Sequence, residues 1–180
     1  MNGNSIFVQT KSIRYEVITH GKASTPVFLL HGNSNSSETF TPFISSLNNL
    51  GLQAFCINLP GHGNSELPED FEFSIPALAD SIAELVSSLT KDKQFYLLGH
   101  SIGAHIFSHA MDSLSNRCRG FISISAPPIS LATLANAFAE DPCAGAIFRG
   151  GLTPNDINTM ASALLGPAAD SQTTLDDFRL

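Results

Sequence analysis

Apolar and polar positions fall into short blocks whose period changes along the chain. Residues 5–10 (SIFVQT) and 13–19 (IRYEVIT) read as two strands of a short hairpin, the second alternating apolar with polar side chains. His20-Gly21-Lys22 reads as a turn. Residues 26–30 (PVFLL) are continuously apolar, as in a strand covered on both faces, and the run stops at His31-Gly32. Over 38–48, Phe40, Phe43, Ile44 and Leu47 have helical spacing, with Ser36 or Ser37 to cap the start and Gly51 to mark the stop. Residues 53–59 (QAFCINL) predict a second buried strand, followed by the loop 60–65 (PGHGNS). Leu78, Ile82, Leu85, Val86 and Leu89 form one stripe of a helix over 75–90 with Ser74 as its N-cap. A third buried strand, 94–98 (QFYLL), runs into Gly99-His100-Ser101-Ile102-Gly103 and a helix to about Leu114. A fourth, 120–125 (GFISIS), ends at Ala126-Pro127-Pro128.

Strands alternating with helices predict an α/β fold, a doubly wound and mostly parallel sheet with helices on both faces. After Pro128 the strand pattern ceases. Residues 130–140 read as an apolar helix, and Thr153-Pro154-Asn155-Asp156 as a helix start with Met160, Leu164 and Leu165 on its buried side. Gly166-Pro167 ends that helix, and Thr174-Leu175-Asp176-Asp177 opens another that reaches Leu180 within its first turn. The expected organisation is a core over 1–128 and a helical, cap-like segment over 129–180. A helix cut within one turn nucleates poorly, so the architecture is expected to continue past Leu180.

Composition narrows the functional classes. The chain has 180 residues, enough for one domain with a sizeable core. Apolar residues make up 43% and charged ones 14%, which excludes disorder of the whole chain and points to apolar surface that needs cover. Nine basic against 16 acidic residues give a net charge of −7, opposite to the basic face that nucleic acid requires. Cys56, Cys118 and Cys143 are widely spaced with no CxxC, against a disulfide framework or zinc site and in favour of a reducing compartment. No secretory signal opens the sequence, and no apolar run approaches the ~20 residues of a membrane span. The expectation is a cytoplasmic acidic protein.

Two loops carry candidate chemistry. Gly99-His100-Ser101-Ile102-Gly103 is a G-x-S-x-G run between a buried strand and a helix. A serine on so sharp a turn has strained backbone angles, and small neighbours leave room for it. Ser101 would project from the carboxyl end of the sheet, and the Ile102 N–H at the helix start would meet an oxyanion. The plainer alternative is a tight strand–helix connection that uses small residues for packing. His31-Gly32-Asn33 follows a strand where doubly wound sheets gather ligands. Gly32 permits close backbone approach, and the Asn33 N–H is the second candidate oxyanion donor. Here the alternative is a glycine turn whose histidine merely packs or hydrogen-bonds locally.

Together, LLHGN (29–33), NLPGHGNS (58–65), LLGHSIGA (97–104) and FISISAPP (121–128) resemble the α/β-hydrolase superfamily, in particular its esterase-, lipase- and perhydrolase-like members. The resemblance covers about residues 13–128. It implies Ser101 as nucleophile, the Asn33 and Ile102 N–H groups as oxyanion hole, a helical cap after Pro128 and a small acyl substrate, with no metal or organic cofactor. Asn58 departs from the acid that many members carry there, at a position whose role in the family is mainly structural. A serine nucleophile also separates the chain from the dehalogenase and epoxide-hydrolase branches, which use Asp.

The family orders its triad Ser, acid, His. The histidines after Ser101 are His105 and His109, both on the helix that leads away from it, and His20, His31, His62 and His100 precede or adjoin it. Asp156, Asp176 and Asp177 read as helix-start residues. The sequence thus resembles the N-terminal two-thirds of such an enzyme, and the acid and the base are expected beyond residue 180. Phe138, Phe148, Met160, Leu164 and Leu165 either line an acyl pocket or pack on the sheet. The expected function is a serine hydrolase for an ester or related acyl compound, weak or inactive as this chain. The rival readings are a non-catalytic remnant that binds a small ligand, and an interaction module that self-associates through an exposed sheet edge.

Overall fold

The computed structural model describes residues 3–126 together with Thr153 and Asn155. Apart from those two residues, everything expected of 129–180 lies outside the described residues. Among the described residues six strands and three α-helices follow in order: β1 (Asn4–Gln9), β2 (Arg14–His20), β3 (Thr25–Leu30), α1 (Thr41–Asn49), β4 (Leu52–Ile57), α2 (Ile75–Thr90), β5 (Phe95–His100), α3 (Ile102–Leu114) and β6 (Cys118–Ile124). The sheet order is β1-β2-β4-β3-β5-β6. The β1–β2 hairpin is antiparallel, as is the β2–β4 pair, whereas β4, β3, β5 and β6 run parallel. This is the predicted doubly wound, mostly parallel sheet.

Alternating side chains of the central strands feed two cores. On one face Phe28, Leu30, Phe55, Ile57, Phe95 and Leu97 pack with Leu78, Ile82 and Leu85 of α2 and Ile106 and Phe107 of α3. Phe28 stacks on Phe55 at 5.0 Å and meets Phe95 edge-on at 5.8 Å. On the other face Val27, Leu29, Ala54, Cys56 and Leu98 pack with Phe40 and Ile44. Each buried Val, Leu, Ile or Phe among them contributes about 1.5–3 kcal/mol relative to exposure. Cover on both faces is why these strands read as unbroken apolar runs.

The boundaries differ from the sequence reading where a local constraint intervenes. The helix expected over 38–48 is a 3-10 turn over Ser37–Phe40 followed by α1, with Pro42 in the first turn of the α-helix proper. Ser36 Oγ accepts from the Glu38 N–H at 3.3 Å, and Gly51 leaves the helix with φ +73°. Phe43, assigned to the buried stripe, is 49% exposed because it sits one position round the helix from Ile44. β4 stops at Ile57 rather than residue 59: the Asn58 N–H still reaches Glu16 O on β2, but the Asn58 carbonyl accepts from Ser65 Oγ and the Leu59 N–H donates to His31 Nε2. β5 continues through Gly99 and His100, held in register by Ser123 and Ile124. β6 lies at the end of the sheet order and is not buried on both faces. Phe121 packs edge-on against Phe107 at 6.3 Å, while Ile122 on the opposite face is 58% exposed. Among the described residues no helix is long and apolar enough to cross a membrane.

Candidate active site

Ser101 joins the carboxyl end of β5 to the first turn of α3. Its backbone has φ 52° and ψ −121°, a conformation that costs a side-chain-bearing residue about 1–3 kcal/mol. The surroundings hold it there. The Ser101 N–H donates to Ile124 O at 2.9 Å, and Ser101 O accepts from the Ala104 N–H at 3.0 Å. The flanking glycines are required by contact. A Cβ on Gly99 would lie 2.4 Å from Ala104 Cα, and one on Gly103 would lie 2.3 Å from Leu30 O and 2.5 Å from His31 O. The start of α3 is therefore pressed onto the end of β3. Ser101 is half-buried at the N-terminus of a helix whose first N–H groups have no partner within the helix.

The loop after β3 reaches the same point. Gly32 is buried, and a Cβ there would lie 2.8 Å from His100 Nδ1 and 2.9 Å from Ser101 Cβ. Asn33 follows, exposed, with its carbonyl accepting from Asn35 Nδ2 at 3.3 Å. Ser34 then turns the chain with φ +58°. The fold thus brings together the segments carrying Ser101, Ile102 and Asn33.

The histidines around this point hold structure. His31 is fully buried. Its Nε2 accepts from the Leu59 N–H at 3.0 Å, so its proton is on Nδ1, which donates to Gly32 O at 2.7 Å. Burial pushes its pKa down to about 4; the neighbouring His62 and His100 act the same way, against the pull of the Gly32 carbonyl. Neutral and with both ring nitrogens engaged, His31 cannot serve Ser101 as a base. His62 lies with its ring centroid 5.0 Å from that of His31 and donates from Nδ1 to Pro60 O at 3.0 Å. His100 is partly buried, which lowers its pKa, and its Nδ1 lacks a hydrogen-bond partner. On α3, His105 is partly buried and His109 exposed. Among the described residues no histidine or carboxylate hydrogen-bonds to Ser101 Oγ, and no three His, Cys, Asp or Glu side chains converge to hold a metal ion.

Sequence reasoning passed over Glu16. On β2 this residue is 4% exposed, and its carboxylate accepts four hydrogen bonds, each at 2.8 Å. Ser5 Oγ and Asn64 Nδ2 donate to Oε1; Asn58 Nδ2 and the Asn64 N–H donate to Oε2. Burial favours the protonated form, but these bonds outweigh it and hold the pKa below the ordinary carboxylate value. Asn58 Oδ1 in turn accepts from the Ser37 N–H at 2.7 Å. β2 thus sets a buried carboxylate against the Asn58 amide. The alternation of β2 and the departure at Asn58 were the signals available, and neither identifies a partner. Two clefts of about 470 and 380 Å3 open elsewhere, the second beside Glu16 and Asn58; neither is lined by Ser101, Asn33 or Ile102.

Known proteins resemble this chain in sequence and in fold. The pimeloyl-[acyl-carrier protein] methyl ester esterase of Aeromonas hydrophila is 29% identical over 104 residues, covering 58% of this chain and 39% of that protein. A serine hydrolase-like protein of Danio rerio is 32% identical over 89 residues, 49% of this chain and 26% of that one. The solved structure of the N-acyl homoserine lactonase AidH superposes with a TM-score of 0.79 at 23% identity, covering 98% of this chain and 64% of that one. An epoxide hydrolase from Vigna radiata superposes with a TM-score of 0.72 at 21% identity, covering 91% and 55%. The chain therefore spans less than two-thirds of these relatives, and at such identities the solved structures establish the fold alone. A family model described as alpha/beta hydrolase fold matches residues 25–150, the stretch that contains both the Gly32 loop and the Ser101 turn. The chain belongs to the alpha/beta hydrolase fold family.

Proposed function

We propose that this chain carries the nucleophile and the oxyanion-binding loop of a serine hydrolase that cleaves small acyl esters. Ser101 Oγ attacks the acyl carbonyl, and the Asn33 and Ile102 N–H groups receive the oxyanion. The acyl–oxygen bond then breaks, the alcohol leaves with a proton, and water releases the acid from Ser101. The reading is supported by one observation, the strained Ser101 turn at the start of α3, packed against Gly32 of the loop that carries Asn33. Two of the relatives' names agree in bond type, since a methyl ester esterase and a lactonase both act on an acyl–oxygen bond. The proton of Ser101 needs an acceptor, and none of the described histidines hydrogen-bonds to its Oγ. We assign that role to a residue outside the described set.

The test is a fluorophosphonate probe on the purified chain, followed by peptide mapping. Labelling at Ser101 that disappears in Ser101→Ala is the expected result, with little or no turnover of a short p-nitrophenyl ester. A wild-type chain left unlabelled, or labelled equally in Ser101→Ala, overturns the reading. Rapid Ser101-dependent turnover would instead place a working base within this chain.

A further inference from the structure

We propose that Glu16 is a positioning residue for the oxyanion loop, acting through Asn58 on the Ser37 N–H. The inference rests on the role proposed for Asn33. A carboxylate only accepts hydrogen bonds, so the Asn58 amide must turn Nδ2 toward Glu16, at 2.8 Å. Its Oδ1 then faces the other way, where the Ser37 N–H donates to it at 2.7 Å. Ser37 ends the 33–37 loop and opens the 3-10 turn; His31, bonded to the Leu59 N–H next to Asn58, anchors the loop's other end. Both ends of the segment that carries Asn33 are thus tied to the 58–59 backbone or side chain, and the orientation of that side chain is set by Glu16.

Several features show a site built around the charge. All four donors to Glu16 are neutral, so the group is held as an anion without a counter-ion among them. Gly63 wraps over it with φ +54°, and a Cβ there would lie 2.3 Å from Asn58 Nδ2 and 2.6 Å from Glu16 Oε2. A glutamine at position 16 has nearly the same shape but brings an NH2 group into a ring of donors. With that NH2 in the place of Oε2 it opposes the Asn64 N–H and makes Asn58 flip, so that Asn58 meets the Ser37 N–H with its own N–H groups; in the place of Oε1 it spares Asn58 only by turning the Asn64 amide over.

Three proteins test this: wild type, Glu16→Gln, and the exchange Glu16→Gln/Asn58→Asp. In the exchange, the carboxylate now at position 58 again accepts from the Ser37 N–H, while the amide now at position 16 donates to that carboxylate and leaves the Asn64 N–H, which shared Oε2 with Asn58, without its acceptor. The hydrogen-bond sense toward the loop is restored with the charge moved by one side chain. The readouts are the maximal rate of Ser101 phosphonylation, separated from the half-saturating probe concentration, and the backbone amide resonances of Asn33 and Ser37. In Glu16→Gln the maximal rate should fall roughly 10- to 100-fold, the scale of a catalytic group displaced by about 1 Å. The half-saturating concentration should stay unchanged, and both amide resonances should move. The exchange should recover most of the rate and return the resonances; where the single variant does not fold, its recovery by the exchange in folded form carries the same conclusion. An unchanged maximal rate in a folded Glu16→Gln, or an exchange no better than the single variant, overturns the proposal. If the wild type is not labelled at all, the Ser101 reading fails, and unmoved Asn33 and Ser37 resonances in Glu16→Gln would separately refute the role of Glu16.

Discussion

Gly32 and Ser101, which end or follow different strands, come so close that a single methyl group on Gly32 would sit 2.9 Å from Ser101 Cβ. The same methyl would lie 2.8 Å from His100 Nδ1. Both contacts are tighter than real packing allows, so Gly32→Ala must push the loop and the serine turn apart. Overpacking of this kind costs about 1–3 kcal/mol. The expected result is a folded variant, less stable in urea, whose Ser101 labelling rate falls more than its stability does. Equal labelling by wild type and Gly32→Ala would show that the two segments do not cooperate.

Ser101 itself stores strain, and its replacement should separate strain from chemistry. With φ 52° the residue sits where glycine is at ease and other residues are not. Ser101→Ala keeps the strain and removes the hydroxyl. Ser101→Gly removes both, although glycine also loses more chain entropy on folding. The net expectation is that Ser101→Gly is more stable than Ser101→Ala by about 1 kcal/mol, while neither is labelled. Thermal melts of the two variants decide it, and an alanine variant at least as stable as the glycine one would mean the turn relaxes on its own.

The third prediction weighs two opposing effects at Gly103. In the first turn of a helix, alanine is favoured over glycine by up to about 1 kcal/mol. Here, however, a Cβ would meet Leu30 O at 2.3 Å and His31 O at 2.5 Å. These are backbone atoms at the end of β3, and no rotamer change relieves the clash. Gly103→Ala should therefore destabilise the fold by about 1–3 kcal/mol, read from the urea midpoint at unchanged slope. A neutral or stabilising substitution would show that α3 is not pressed onto β3.

Much of this arrangement was legible in the chain because its causes are local. Runs such as 26–30 and 94–98 are apolar on consecutive positions, which only a strand covered on both faces explains, and Ser74 caps α2 through the Ala77 N–H as its spacing predicts. The small residues at 99 and 103 mark the sharp turn for steric reasons that composition reveals. What stayed hidden depends on partners distant in sequence. Nothing near Ile122 says that it lies beyond the cover of α1, and the exposure of Phe43 is decided by where α1 meets the sheet. Glu16 looked like one polar member of an alternating strand. Its partners Ser5, Asn58 and Asn64 come from three other segments, so only the fold could show a buried, saturated carboxylate.

Acid weakens this fold through His31. The pKa of His31 is pushed down to about 4, chiefly by burial, whereas in an unfolded chain a histidine titrates near 6.5. Between these values the unfolded state binds a proton that the folded state refuses. Stability contributed by neutral His31 is therefore fully present above about pH 6.5 and is lost as the pH falls toward 4. The difference of about 2.5 pKa units corresponds to roughly 3 kcal/mol. The lowered values of His20 and His100 act in the same direction, and that of Glu16 at lower pH, so His31 must be isolated by difference. His31→Gln keeps an acceptor for the Leu59 N–H but does not titrate. Its stability at pH 7 should be below that of the wild type, yet between pH 7 and 4.5 the wild type should lose about 2–3 kcal/mol more than the variant. Denaturation at five pH values measures the two slopes, and parallel curves would mean that His31 is protonated in the fold as readily as outside it.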